Sequence, residues 1–371
     1  MLHRRGAARR GRLHTAHGVI ETPAFMPVGT LGAVKGLGPA QLREAGAQVM
    51  LANLYHLSLR PGVESIARLG GVHRFTGWNG PILTDSGGFQ VWSLGGLRRV
   101  DDEGVTFRSP RDGALLRFEP ADVVRHQVAI GVDVAMVLDE CTRWPVDEAA
   151  AAESLRRTLG WARRARAEKD RLEANRTQLF GIVQGSFFPS LRQAAVDELR
   201  GIGFDGYAIG GVSIGEPKER GREVVSQVAP LLPEDRPRYL MGVGTPDDIA
   251  TAVAAGVDLF DCVLPSRNAR HGFLFTAEGP LRILNGCYRE DQRPLDERCG
   301  CCTCRTTSRA FLHHLFRCGE ITAQVLATAH NVRFYLDFMG GLREALELGR
   351  TDLPASATPL RTAAPQSPGG P

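Results

Sequence analysis

Acidic residues recur at the ends of short apolar runs, and the chain's chemistry is expected there. PILTD (81–85) ends on Asp85, DVAMVLDE (133–140) carries Asp139 and VDLFD (257–261) ends on Asp261. QLFGIVQG (178–185) adds Gln184, and GYAIGG (206–211) adds Gly211. A carboxylate leaving an apolar strand loses hydration, so it must be paired, cap a helix or do chemistry. Three in register exceed what capping alone explains. Two carboxylates facing one pocket suit substitution at an anomeric carbon, where one attacks and the other moves a proton. Gln184 and the Gly211 backbone can read the edge of a planar base, with Phe89 or Met241 against its face.

A second cluster suits metal. Cys299, Cys301 and Cys304 are spaced C-x-C-x-x-C, and His330 follows. Three thiolates and an imidazole make a closed tetrahedral zinc site, structural because no position remains for water. Cys302 is wedged between two ligands and is left out. His313, His314 and Cys318 are the alternatives to His330 as the fourth ligand.

These groups need a scaffold. Five of the apolar runs are named above; AFMPVGT (24–30), QVMLAN (48–53) and RYLMGVG (238–244) complete eight. Amphipathic segments such as PADVVRHQVAIG and LRQAAVDELRGIG separate most of them. Strand and helix in alternation predict an α/β fold with a parallel sheet, and eight units suit a (β/α)8 TIM barrel, with chemistry at the C-terminal strand ends. A doubly wound sheet is the alternative. RGRLHTAHGVIETP is expected as a hairpin under the barrel, and GVTFRSPRDGALLRFEP as a hairpin turning at Arg111–Gly113. The predicted organisation is a disordered N-terminus (1–11), a barrel core (12–269), a zinc-binding subdomain after the eighth strand (270–330), a closing helix (331–350) and a disordered tail (351–371). Within the last part, ITAQVLATAHNVRFYLDFMGGLREALELG reads as one long helix.

Composition excludes some classes and permits others. The 371 residues are 43% hydrophobic, enough for a large core, and no apolar run is long enough to span a membrane. The basic N-terminus leads into no apolar stretch, so no secretory signal is expected, and clustered cysteines then point to metal in a reducing, cytoplasmic setting. A net charge of +4 permits an RNA partner without demanding one. A glycosidase site should be rich in Trp and Tyr, yet the chain has four and five. A non-catalytic RNA-binding subunit should lack the aspartates, which are all present.

The stretches MPVGTLGAVKGL, NLYHLSLRPG, PILTDSGGFQVWSL, LDECT, GIVQGS, GGVSIGE, YLMGVGTPDDI, DLFDCVLPSRNARHG and CGCCTCRTTSRAFLHHL resemble the bacterial tRNA-guanine transglycosylases, from about Arg12 to Gly340. The resemblance implies exchange of guanine at the wobble position of tRNAs with GUN anticodons for the 7-deazaguanine base preQ1, in queuosine biosynthesis. It implies Asp261 as nucleophile and Asp85 as general acid/base. The base would be held by Asp139, Gln184, Gly211, Val212 and Met241, walled by Asp85, Ser86, Gly87, Gly88 and Phe89. The tRNA anticodon loop would lie along Gly242, Val243, Gly244, Thr245, Pro246, Asp247 and Asp248, and along Ser266, Arg267, Asn268, Ala269 and Arg270. On physical grounds Asp261 needs hydrogen-bond donors or a nearby positive charge to stay ionised, and Arg267 and Arg270 are the candidates for the charge. The family's zinc ligands fall on Cys299, Cys301, Cys304 and His330, one ion per chain, and a homodimer is implied. Val212 departs from the usual Leu. Cys141 and Ile214 match the bacterial pattern, which favours preQ1 over the bulkier queuine.

Overall fold

The structure is a computed structural model and describes residues 1–93 and 98–350. Eight parallel strands, labelled here in chain order, are β1 (Ala24–Pro27), β2 (Met50–Asn53), β3 (Ile82–Asp85), β4 (Val134–Met136), β5 (Gln178–Val183), β6 (Gly206–Ile209), β7 (Arg238–Leu240) and β8 (Leu259–Cys262). Their order is β1-β8-β7-β6-β5-β4-β3-β2. A parallel bridge from Val28 to Leu51, with Gly29 N donating to Leu51 O at 2.7 Å, joins the first strand to the second and closes the ring. The barrel expected from the eight runs is therefore formed, and the doubly wound alternative is not. β4 and β6 are buried at every position, as strands enclosed on both faces must be, which explains why they read as unbroken apolar runs.

Helix boundaries follow local chemistry. The helix Pro120–Ile130 has proline in its first turn and stops at Gly131, whose φ of 76° suits the left-handed cap. Asp147 caps the 24-residue helix Glu148–Arg171 by accepting from Ala150 N at 2.8 Å, so Asp139 is not a cap. The helix after β8, Leu264–Arg270, has Val263 at its N-cap, so Asp261 is not one either.

The hairpin under the barrel forms from Ala8–Thr15 and Gly18–Thr22. Gln178 Nε2 donates to His14 O at 2.7 Å, and the His17 and His73 rings contact opposite oxygens of the fully buried Asp133 at 2.9 and 3.0 Å. Those rings stack at 3.5 Å with an interplanar angle of 17°. Rings so nearly parallel cannot both aim a lone pair at one ion, so the group is a hydrogen-bonded clasp.

The N-terminus corrects the expectation of disorder over 1–11. His3–Arg5 pairs with the strand Ala8–Thr15, and Arg9 and Arg10 are buried. Arg9 Nε donates at 3.1 Å to the buried Asp258, whose other oxygen accepts from Arg238 N at 2.8 Å. The basic run is therefore not a solvated tail: its second half neutralises a carboxylate at the floor of β8. The closing helix runs Ile321–Glu347, beginning before the expected boundary at 331, as the long apolar segment implied. Between β8 and this helix lies a small core of its own, including Leu274, Ile283, Leu295 and Leu312. The hairpin Gly104–Arg108/Leu115–Phe118 forms, with Arg98–Asp101 as a third strand. The expected tail at 351–371 lies outside the described residues.

Candidate active site and metal centre

At the C-terminal mouth of the barrel is a cavity of about 600 Å³. All ten residues expected to bind the base line it, together with Asp261, Cys141 and Ile214. Asp139 and Asp261 are each only 9% exposed.

The three carboxylates have different surroundings. Asp261 Oδ1 accepts from Tyr239 OH and from Gly242 N, each at 2.7 Å. Asp85 Oδ1 is buried without a hydrogen-bond partner. Burial, then the charges of Asp261 and Asp139, push the Asp85 carboxyl well above the usual carboxylate range. Burial raises Asp261 too, but its two donors oppose that. Asp85 therefore holds the proton of this pair, and Asp261 is the anion. Asp139 is raised to about 6 by burial, countered by Gln184 Nε2, which donates to its Oδ2 at 2.7 Å.

Glycines let the walls close. A Cβ on Gly88 would stand 2.6 Å from Asp139 Oδ1. Gly211 has φ 66°, and a Cβ there would stand 2.4 Å from Gln184 Oε1. Any side chain at either position would drive into the polar pair that faces the cavity.

Sequence reasoning missed two groups. Tyr239 is one of the donors that hold Asp261. The other is Arg192, fully enclosed, whose Nη1 donates at 2.8 Å to Val183 O and to Gly210 O, and whose Nε donates to Ser186 O at 2.7 Å. It gathers the frayed ends of β5 and β6 behind Gln184 and Gly211. A signal existed: Arg192 shares the helical stripe of Ala195, Val196 and Leu199, the buried face of Pro189–Ile202. Arg267 and Arg270, the expected partners of Asp261, do not contact it; Arg267 is exposed on the cavity rim, and Arg270 Nη1 donates to Ser266 O at 2.7 Å.

The expected RNA segments divide. Gly242, Val243, Gly244, Thr245 and Asp248 line the cavity, and Asp247 is exposed beside them. Pro246 begins the helix Pro246–Ala254. Tyr335 of the closing helix donates to Gly244 O at 2.7 Å and fixes that loop. In the second segment Arg267 and Asn268 reach the surface, but Ser266 and Ala269 are buried. Ala269 packs into the small core after β8, which explains its small side chain.

Away from the cavity, Cys299, Cys301, Cys304 and His330 bring one ligand atom each within 4.8 Å of the others. His330 Nδ1 lies 3.6 Å from Cys301 Sγ and 3.3 Å from Cys304 Sγ. Tetrahedral zinc with Zn–S of about 2.3 Å and Zn–N of about 2.0 Å requires S···N edges of about 3.5 Å. His330 Nε2 donates to Phe275 O at 2.7 Å, leaving Nδ1 for the ion. The four residues therefore fit a metal site. Cys302 and the alternatives stand apart: His313 contacts Ile283 O, and His314 lies by Cys318.

A family model described as Queuine tRNA-ribosyltransferase matches residues 4–354. The chain belongs to the queuine tRNA-ribosyltransferase family. It is 55% identical over 352 residues to a queuine tRNA-ribosyltransferase of Aromatoleum aromaticum, covering 95% of each chain. A relative of that name in Methylobacillus flagellatus is 52% identical over 356 residues, 96% of this chain and 95% of the other. One in Nitrosospira multiformis is 53% identical over 363 residues, 98% and 99%. Membership makes the chain an enzyme of the pentosyltransferase class. No helix among the described residues is long and apolar enough to cross a membrane.

Proposed function

We propose that the enzyme exchanges guanine at the wobble position of GUN-anticodon tRNAs for preQ1, in queuosine biosynthesis, through a covalent link between Asp261 and the ribose. The observation that carries this is the division of labour among three buried carboxylates around one cavity. Asp261, anionic and aimed by Tyr239 and Gly242, attacks the anomeric carbon. As that bond forms, the C–N bond to guanine breaks, and Asp85 gives its proton to the departing base. The incoming base returns a proton to the Asp85 carboxylate as its nitrogen displaces Asp261. Asp139 and Gln184 hold the base edge, Gly211 and Val212 supply backbone, and Phe89 and Met241 flank its face. The nucleotide must leave its stack to reach this depth, which suits a loop over a duplex. Zinc at Cys299, Cys301, Cys304 and His330 supplies structure only, since four protein ligands leave no position for substrate. The family resemblance also supports a cytoplasmic homodimer. Incorporation of radiolabelled guanine into tRNA tests the reading; no incorporation by zinc-loaded enzyme would reject it.

Asp139 gives this function a pH signature. A base offering N–H donors needs an ionised carboxylate, and Asp139 takes up a proton near pH 6. The KM for guanine is expected to rise about tenfold per unit as pH falls below about 6. For stability the sign is opposite. Because the folded value lies above the ordinary 3.8, the favourable contribution is complete below that value and is lost as pH rises through about 6. A KM for guanine that stays flat across this window would reject the role of Asp139.

Base choice is assigned to Ile214 and Cys141 beside the 7-substituent. Ile214 lines the cavity, is half-buried and is held by Glu216, whose carboxylate accepts from Ile214 N at 2.8 Å. Overlap of a larger substituent with a packed aliphatic side chain costs about 1–3 kcal/mol, roughly ten- to a hundredfold in affinity. Ile214→Gly is expected to raise the use of queuine relative to preQ1 by that factor in a competition assay. Efficient queuine insertion by the unaltered enzyme would overturn the assignment.

A further inference from the structure

A second cavity, of about 320 Å³, opens beside the first. Cys141 lines both, so the two are separated by the short segment that follows Asp139. Arg98, Glu140, Arg143, Glu153 and Arg157 bring their charges to it. Arg157 is already paired: Nε donates to Glu140 at 2.7 Å and Nη1 to Glu153 at 2.6 Å. Glu153 also accepts from Arg156 at 2.9 and 2.8 Å. Both carboxylates are thus committed to helix Glu148–Arg171.

Arg98 is left over. It is half-buried at the start of the three-stranded sheet, where its backbone pairs with Phe107, and its side chain has no hydrogen bond or ion pair with a described residue. Burial pulls its guanidinium below the ordinary value; Glu140 opposes this, and the like charge of Arg143 adds to it. A partly desolvated guanidinium without a side-chain partner, lining one cavity with the second guanidinium of Arg143 while Glu140 and Glu153 are bound by Arg157, is a site that an anion completes. The bases exchanged in the proposed reaction bring no anion. The RNA backbone does, and a guanidinium pair matches phosphate geometry.

We infer that Arg98 and Arg143 form a subsite for one phosphodiester of the RNA, next to the nucleotide whose base enters the main cavity. The inference rests on the base-exchange reading. In it, the Arg98–Asp101 strand is an RNA-positioning element, and the second cavity holds the chain of a nucleotide flanking the extruded one. Arg157 of the long helix binds Glu140 and Glu153 and so offsets their charge where they line this cavity.

The test compares wild type, Arg98→Ala, Arg98→Lys and Arg143→Ala, all zinc-loaded, in tRNA binding across a salt series and in guanine exchange. Arg143 is exposed, so its replacement leaves the fold intact even if Arg98→Ala does not. Each alanine variant is expected to weaken tRNA binding about five- to tenfold and to flatten the slope of log Kd against log salt by about 0.7, one phosphate in a single-stranded segment. The KM for guanine should be unchanged, and Arg98→Lys should restore the slope but not all the affinity, since an ammonium cannot bind phosphate bidentately. Unchanged tRNA affinity and slope in both alanine variants would overturn the inference. So would a loss equal at every salt concentration and accompanied by a higher KM for guanine, which marks a packing role. Failure of wild type to incorporate guanine would instead reject the base-exchange reading.

Discussion

Asp261→Asn is expected to lower guanine exchange by at least ~10⁴-fold while leaving tRNA binding within a few-fold of wild type. The amide keeps the shape of the side chain, and its oxygen can still accept from Tyr239 OH and Gly242 N, both 2.7 Å from Oδ1 in the native site. What it loses is the negative charge that attacks the anomeric carbon. The comparison with Asp85→Asn is informative. Asp85 is pushed upward by burial and by Asp261 and Asp139, so it is already neutral in the resting site, and its amide alters proton supply more than charge. Asp85→Asn is therefore expected to fall chiefly in turnover. Steady-state exchange kinetics with both variants check this. Activity of Asp261→Asn near wild type would remove the nucleophile from the account.

The second large effect is expected at the metal centre. Cys301→Ser should lose the ion and lower the melting temperature on the order of 10 °C, because a closed structural site contributes its binding free energy to folding. Cys301 has two roles, since its Sγ also accepts from Cys304 N at 3.4 Å as the N-cap of helix Cys302–Thr306. Serine can preserve the cap but is a poor zinc ligand, so the substitution isolates the metal. The effect should reach the active site indirectly. His330 lies in the closing helix, whose Asn331 Nδ2 donates to Pro265 O at 3.0 Å and whose Tyr335 holds Gly244 O. Metal analysis and thermal melts on the same preparations test the coupling; full zinc in Cys301→Ser would show the ligand set to be wrong.

Most of the site was legible because a parallel barrel advertises itself. Strands buried on both faces read as apolar runs, and a charged residue at the end of such a run stands out, as Asp85 and Asp261 do. The cysteine spacing was equally plain, since few roles other than metal bring three thiols together in six residues. What was hidden shares one cause: polar groups whose partner is distant in sequence. Tyr239 looks like an ordinary strand aromatic until β8 places Asp261 beside its hydroxyl. Arg9 reads as part of a solvated basic end until Asp258, 249 residues on, is seen against it. The same cause misdirected the choice of Arg267 and Arg270 as partners for Asp261. They are its neighbours in sequence, but the helix Leu264–Arg270 carries Arg267 to the rim and turns Arg270 back onto Ser266 O. The burial of Ala269 was hidden because the core after β8 could not be foreseen from its short, scattered apolar residues.

The central claim is that Asp261 forms a covalent bond to the ribose of the tRNA. It is tested most directly by incubating zinc-loaded enzyme with tRNA, quenching in denaturant and resolving protein from RNA, followed by mass analysis of the adduct. The account predicts an RNA–protein species resistant to denaturation, attached at Asp261, discharged when preQ1 or guanine is added before the quench, and absent from Asp261→Asn. Guanine exchange by wild type with no such species, or an equal yield of it from Asp261→Asn, would contradict the account.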